Sequence, residues 1–204
     1  MPRKADGSWA KLGWNDYTEC SPDTALWCVP HDVEGLVALL GGPEAFEREL
    51  DRFFDELFFK PNGQGKSLHG NEPTHHVAYL YNRIGRYEKT CRRVRDILVR
   101  CYSTDRKGFD GNEDCGAMSA WYVLSALGLY PLDPASGEYE LGSPVVESAR
   151  LRLAGGELRI TVKGHAPDRW NVRRVTFDGR ELANRRIAHA DLAQGGDLVF
   201  EMAE

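Results

Sequence analysis

No apolar run in these 204 residues reaches the roughly 18 needed to cross a membrane. The polar stretch from Met1 to Gly7 lacks the apolar core of a secretory signal. No CxxC pair occurs. Cys20, Cys28, Cys91, Cys101 and Cys115 are odd in number and scattered, which argues against zinc and leaves the redox compartment open. Cys91 and Cys101 fall in a helical pattern and read as core packing, while a Cys20–Cys28 bridge stays open. A positive excess is missing too: 26 basic residues face 31 acidic ones, for a net charge of −5, so nothing favours nucleic acid. The densest basic run, Arg83 to Arg106, reads as the solvated face of a helix. No internal repeat stands out.

What remains is enough chain for a sizeable core and two contrasting grammars. Residues 1–30, rich in Trp, Asp, Pro and Cys, show no clean period and read as loop. Asp32 can cap a helix from Val33 to Leu40, which Gly41-Gly42 stops. Pro43 opens a second helix, with Phe46, Leu50, Phe53, Phe54 and Leu57 three and four residues apart. A third follows Glu72-Pro73 and ends at Gly85, and a fourth runs from Tyr87 to Tyr102. The fifth, from about Asp114 to Leu127, is apolar nearly all round, the pattern of a buried helix. Past Pro131, Pro134 and Gly137 the period drops to two. Leu151–Leu153, Leu158–Val162, Val172–Phe177 and Leu198–Phe200 read as strands, with Asp178-Gly179 as a hairpin turn. The expected fold is mainly α with a C-terminal β segment, divided as residues 1–135 and 136–204.

Two stretches concentrate acids, amides and imidazoles on a glycine turn ahead of an apolar segment. They are His69-Gly70-Asn71-Glu72-Pro73-Thr74-His75-His76 and Gly111-Asn112-Glu113-Asp114-Cys115-Gly116. Glycine admits a close backbone approach, and acids at a helix start complement its dipole. His75 and His76 point about 100° apart on a helix, the wrong spacing for zinc, whereas Asn71 and Glu72 offer the oxygens that calcium prefers. Glu19, with Trp14 and Trp27 near in sequence, has the apolar company that keeps a carboxyl protonated. Asp114, beside Asn112 and Glu113, has the polar company that keeps one charged. Glycoside hydrolysis needs such a pair. The blander reading makes Glu19 surface, Asp114 an N-cap, Glu72 a cap of the third helix, and His75 and His76 packing groups.

The stretches HGNEPTHHVAYLY, GNEDCGAMSAWYVLSALGLYP and VPHDVEGLVALLGG together resemble glycoside hydrolase family 92, the calcium-dependent exo-α-mannosidases. The likeness extends from Asp6-Gly7-Ser8-Trp9 through Tyr139–Pro144 to the closing β segment. It implies the later part of an (α/α)6 barrel followed by terminal strands, with an N-terminal β-sandwich and early barrel helices absent from this stretch or replaced by self-association. It makes Glu19 the general acid, twelve residues before His31, and Asp114 the base that activates water, helped by Asn112. It assigns substrate contacts to His69, Glu72, His31 and Asp32, and calcium contacts to Asn71 and Glu72. The implied substrate is a glycan ending in α-linked mannose, of α-1,2 type, cleaved with inversion in a secreted or periplasmic setting. Inversion places acid and base roughly 6.5–9.5 Å apart.

Two departures bear on specificity. Cys20 to Leu26 replaces a glycine-asparagine-aromatic stretch, and Ala117 stands where glutamine is common. Some members of the family cleave mannose phosphodiesters, so that substrate is an alternative. A non-catalytic, truncated glycan binder is another, and a metal-dependent hydrolase of a different class is the third.

Overall fold

The computed structural model describes residues 4–8, 17–18, 20–60 and 67–203. The region read as loop before Asp32 contains a short helix, α1 (Pro22–Ala25), capped by the Ser21 hydroxyl, which accepts from the Thr24 amide. Asp32 caps α2 (Val33–Leu39) as its sequence position suggests, taking the Gly35 amide at 2.9 Å. Pro43 opens α3 (Pro43–Arg52), which widens into a π-helical stretch over Phe53–Phe58. That widening turns Phe53, Phe54 and Phe58 inward together, where they pack edge-on or tilted against one another.

The third predicted helix is a 3-10 helix, Val77–Ile84, closed by Gly85 at φ 72°. Val77 to Asn82 are all buried, so neighbours on every side hold this tight spiral beyond its usual three or four residues. Next come α4 (Tyr87–Arg100) and α5 (Ala117–Ala126). The basic run on α4 is not simply solvated: Arg86 and Lys89 pair with Glu47 and Asp51, and Arg93 with Asp55, across to α3 and its π-helical extension.

A 3-10 turn, Pro134–Ser136, marks the change of grammar. Strands β1 (Leu129–Tyr130), β2 (Glu138–Leu141) and β7 (Arg186–Ala188) make a small antiparallel sheet in the order β1-β2-β7. A second sheet runs β3 (Ser148–Arg152), β4 (Glu157–Lys163), β8 (Gly196–Met202), β5 (Val172–Phe177), β6 (Arg180–Glu181). Its pairings are antiparallel except β4 with β8, which is parallel and is reached through the short helix α6 (His189–Leu192). Asp178 and Gly179, at φ 47° and 80°, form the β5–β6 turn. Period-two burial is plain in β4, where Leu158, Ile160 and Val162 point in.

The core forms two clusters. Trp27, Phe46, Leu50, Phe53, Val94 and Trp121 centre the helical one, and Ile160, Val175, Leu198 and Phe200 the β one. Polar groups stitch them together. Glu140, only 1% exposed, receives Asn82 Nδ2 at 3.0 Å and meets Arg83 Nε at 2.7 Å. Arg95 reaches from α4 to the Pro144 and Arg169 carbonyls, and Cys91 of α4 lies in the β cluster.

Candidate active site

The two polar stretches meet backbone to backbone. A Cβ on Gly70 would stand 1.8 Å from the Asp110 carbonyl oxygen, and one on Gly111 would stand 2.3 Å from that of Gly70. Only glycine fits on either side of this contact. Asp110 fastens it by accepting the Ser67 amide at 2.9 Å. On the first stretch, 3-10 turns at Leu68–Gly70 and Glu72–Thr74 are locked by Thr74, whose hydroxyl donates within reach of the Leu68 and Asn71 carbonyls.

Beneath this contact lies a floor of imidazole and aromatic rings. The Tyr102 hydroxyl donates to the Met118 carbonyl at 3.1 Å, so His69 Nε2 must donate to the Tyr102 oxygen at 2.9 Å. His69 is wholly buried against Trp121, with ring centroids 4.3 Å apart, and its Nδ1 has no partner among the described residues. Burial therefore holds its pKa well below the usual value. His75 donates to the His69 carbonyl and His76 to that of Trp27, at 3.1 and 2.6 Å, and desolvation lowers both pKa values. All three Nε2 atoms are thus engaged. Packing, the blander reading of His75 and His76, is what the structure shows, and it extends to His69.

The acids and amides of the two stretches lie toward solvent. Glu72, Asn112 and Asp114 are exposed and Asn71 is half-buried. The carboxylates of Glu72 and Asp114 both lie near enough to the His75 ring to pull its pKa upward against desolvation. Asp114 is not an N-cap. Glu113 does that work: its carboxylate accepts the amides of Gly116 at 2.6 Å and Ser119 at 3.3 Å, and these bonds lower its pKa. Helix α5 accordingly begins at Ala117 rather than near Asp114, because Asp114, Cys115 and Gly116 take φ of 51°, 56° and 100°. Consecutive left-handed residues cost conformational energy, and such strain clusters at functional sites.

Glu19 lies outside the described residues. The chain that follows it is anchored to the site through the His76 bond to Trp27 and through Cys28, whose Sγ lies 3.8 Å from the Pro73 carbonyl. His31 is exposed, and Asp32, also exposed, spends one carboxylate oxygen on capping α2. Among the described residues no group of three or more His, Cys, Asp or Glu is placed to hold a metal. Beside the contact, Asn71 and Glu72 carry side-chain oxygens, the donor type that a hard cation completed by water or sugar hydroxyls takes. The capping by Glu113 and the burial of His69 against Trp121 and Tyr102 escaped the sequence reading, and the Gly-Asn-Glu common to the two stretches is too short to signal that they meet.

The profile of the glycosyl hydrolase family 92 catalytic domain matches residues 1–204. The chain belongs to family 92. Over 98% of its length it superposes on a family GH92 α-mannosidase from Bacteroides thetaiotaomicron, with a TM-score of 0.88 and 33% identity. A family GH92 inverting mannosidase from the same species aligns at 34% identity and a TM-score of 0.83 over 97% of the chain. An uncharacterized secreted glycosidase of Arthroderma benhamiae is 26% identical across the whole chain. The chain spans 28%, 30% and 28% of these three relatives, respectively.

Proposed function

We propose that this chain supplies the catalytic face of an inverting exo-α-mannosidase acting on glycans that end in α-1,2-linked mannose. The observation that carries the proposal is the Gly70–Gly111 contact, which brings the two acid-bearing stretches together over one ring floor. Residues 1–135 would form the catalytic region and 136–204 the β segment that supports it.

Asp114 takes the proton of the attacking water. Exposed and kept from capping by Glu113, its carboxylate is available for that role. Asn112 orients the same water. Glu19 donates a proton to the leaving oxygen. Glu72, with His31 and Asp32, binds mannose hydroxyls, and His69 acts from beneath by fixing the loop through Tyr102. Asn71 and Glu72 would hold calcium, which when bound acts as a template for two sugar hydroxyls. The description of the Arthroderma relative as secreted supports a secreted setting.

The test is mannose release from α-1,2-mannobiose, with calcium and then with a chelator. Release that the chelator abolishes supports the reading. Release unaffected by the chelator would remove calcium from it, and no release even with the remaining catalytic domain supplied would remove the activity.

A further inference from the structure

Helix α5 starts from Gly116, an N-cap residue with no side chain to do the capping. The first four amides of a helix have no acceptor within it and must find one elsewhere. Here all four are accounted for. The Gly116 amide donates to one Glu113 carboxylate oxygen at 2.6 Å, and the Ser119 amide to the other at 3.3 Å. The Met118 amide donates to the Glu113 carbonyl and the Ala117 amide to that of Asp114, both at 3.2 Å. Glu113 alone thus takes three of the four, and Asp114 gives only its backbone oxygen.

An aspartate just ahead of a helix is itself a favoured cap, so these two neighbouring acids compete for the same amides. Glu113 wins because it has the longer side chain and because Asp114 turns away, at φ 51°, into a run of three left-handed residues. The Asp114 carboxylate is left exposed, with no hydrogen bond among the described residues. We propose that Glu113 is a positioning residue for the hydrolysis: by taking the cap of α5 it holds Asp114 in the left-handed backbone that keeps its carboxylate free for the attacking water. The inference rests on the reading of Asp114 as the base. Without Glu113, the amides of Gly116 and Ser119 lose their acceptor, and the nearest acid able to serve them is Asp114. The turn then rewinds, and the base becomes a cap.

The experiment measures turnover of α-1,2-mannobiose with calcium and the remaining catalytic domain present. Glu113→Ala should lower kcat about 10–100-fold and leave KM within about twofold, the mark of a misplaced group rather than lost substrate binding. Glu113→Gln keeps one carbonyl oxygen for the Gly116 amide and should recover most of that turnover. In the Asp114→Ala background, Glu113→Ala should change turnover less than about twofold, because its effect runs through Asp114. A cap that served stability alone would lower the melting temperature in both backgrounds and leave kcat where it was. A crystal structure of Glu113→Ala should show Asp114 out of positive φ, with its carboxylate on the Gly116 or Ser119 amide. An unchanged kcat, an equal loss in the Asp114→Ala background, or an Asp114 that keeps its left-handed φ would overturn the proposal. Should the unaltered protein release no mannose, the mannosidase reading fails, and the φ of Asp114 in the variant still decides whether Glu113 holds it.

Discussion

The strands after residue 138 and the loops between Ser67 and Gly116 follow different rules. In the large sheet the local preferences agree with the fold: apolar residues alternate inward along β4, and charges pair across neighbouring strands, as Arg159 does with Asp197 and Arg174 with Glu181. In the loops they are overruled. There a 3-10 helix replaces an α-helix, the adjacent residues Asp114 and Cys115 both take positive φ ahead of Gly116, imidazoles are buried neutral, and two glycines press backbone on backbone. Rule-breaking of this kind is expected where geometry serves chemistry rather than stability. The β segment supports; the loops hold the groups that would act.

The comparison is sharpest at Asp114. Asp114→Ala should lower turnover on α-1,2-mannobiose by about 10²–10⁴-fold, the usual worth of a general base, without lowering the melting temperature. Gly111→Ala should cost roughly 1–3 kcal/mol by denaturant unfolding, because the new methyl has no room beside Gly70. It should also cost activity, since it pries the stretches apart. The same exchange at Gly179, where nothing lies within 4 Å, meets only the left-handed backbone and should cost less.

Two pH effects of opposite sign should separate the regions. The folded chain holds His69, His75 and His76 neutral with lowered pKa, whereas unfolded histidine titrates near 6.5. Their contribution is complete above that value and is lost as pH falls. Glu140, between the cores, is pushed up by burial to about 7 from an unfolded value near 4.5. The folded state then binds the extra proton between those values, so this contribution is present in acid and is lost as pH rises toward 7. Hydrogen exchange should therefore show amides of residues 67–76 opening first between pH 7 and 5, with those of β4 and β8 unmoved. Glu140→Gln should flatten the opposing slope, an effect on the order of 1–3 kcal/mol. Uniform opening across both regions would erase the distinction. The smallest effect is expected for Arg159→Ala. Its pair with Asp197 is exposed and screened by solvent, so the melting temperature should scarcely move and turnover should not change.

Much of this was legible in the chain. Asp32, Pro43 and Gly85 punctuate the helices where their chemistry says they should, and Asp178-Gly179 turns the hairpin. Less was legible where tertiary contacts decide. Val77, Leu80, Tyr81 and Ile84 recur at helical spacing, but that spacing does not tell a 3-10 spiral from an α-helix; burial on all sides decides it. Strands β1 and β7, of two and three residues, are too short to alternate visibly. The capping by Glu113 rather than Asp114 depends on left-handed φ values that non-glycine residues rarely signal. The meeting of Gly70 with Gly111 is a long-range contact that no local pattern announces.

The central claim is that this contact assembles one hydrolytic site with Asp114 as its base. Its most direct measurement compares mannose release from α-1,2-mannobiose by the unaltered protein and by Asp114→Ala, each in the presence of the remaining catalytic domain and calcium. The account predicts release by the first and a rate at least about a hundredfold lower for the second, with both melting alike. Equal rates, or no release by the unaltered protein, would contradict it.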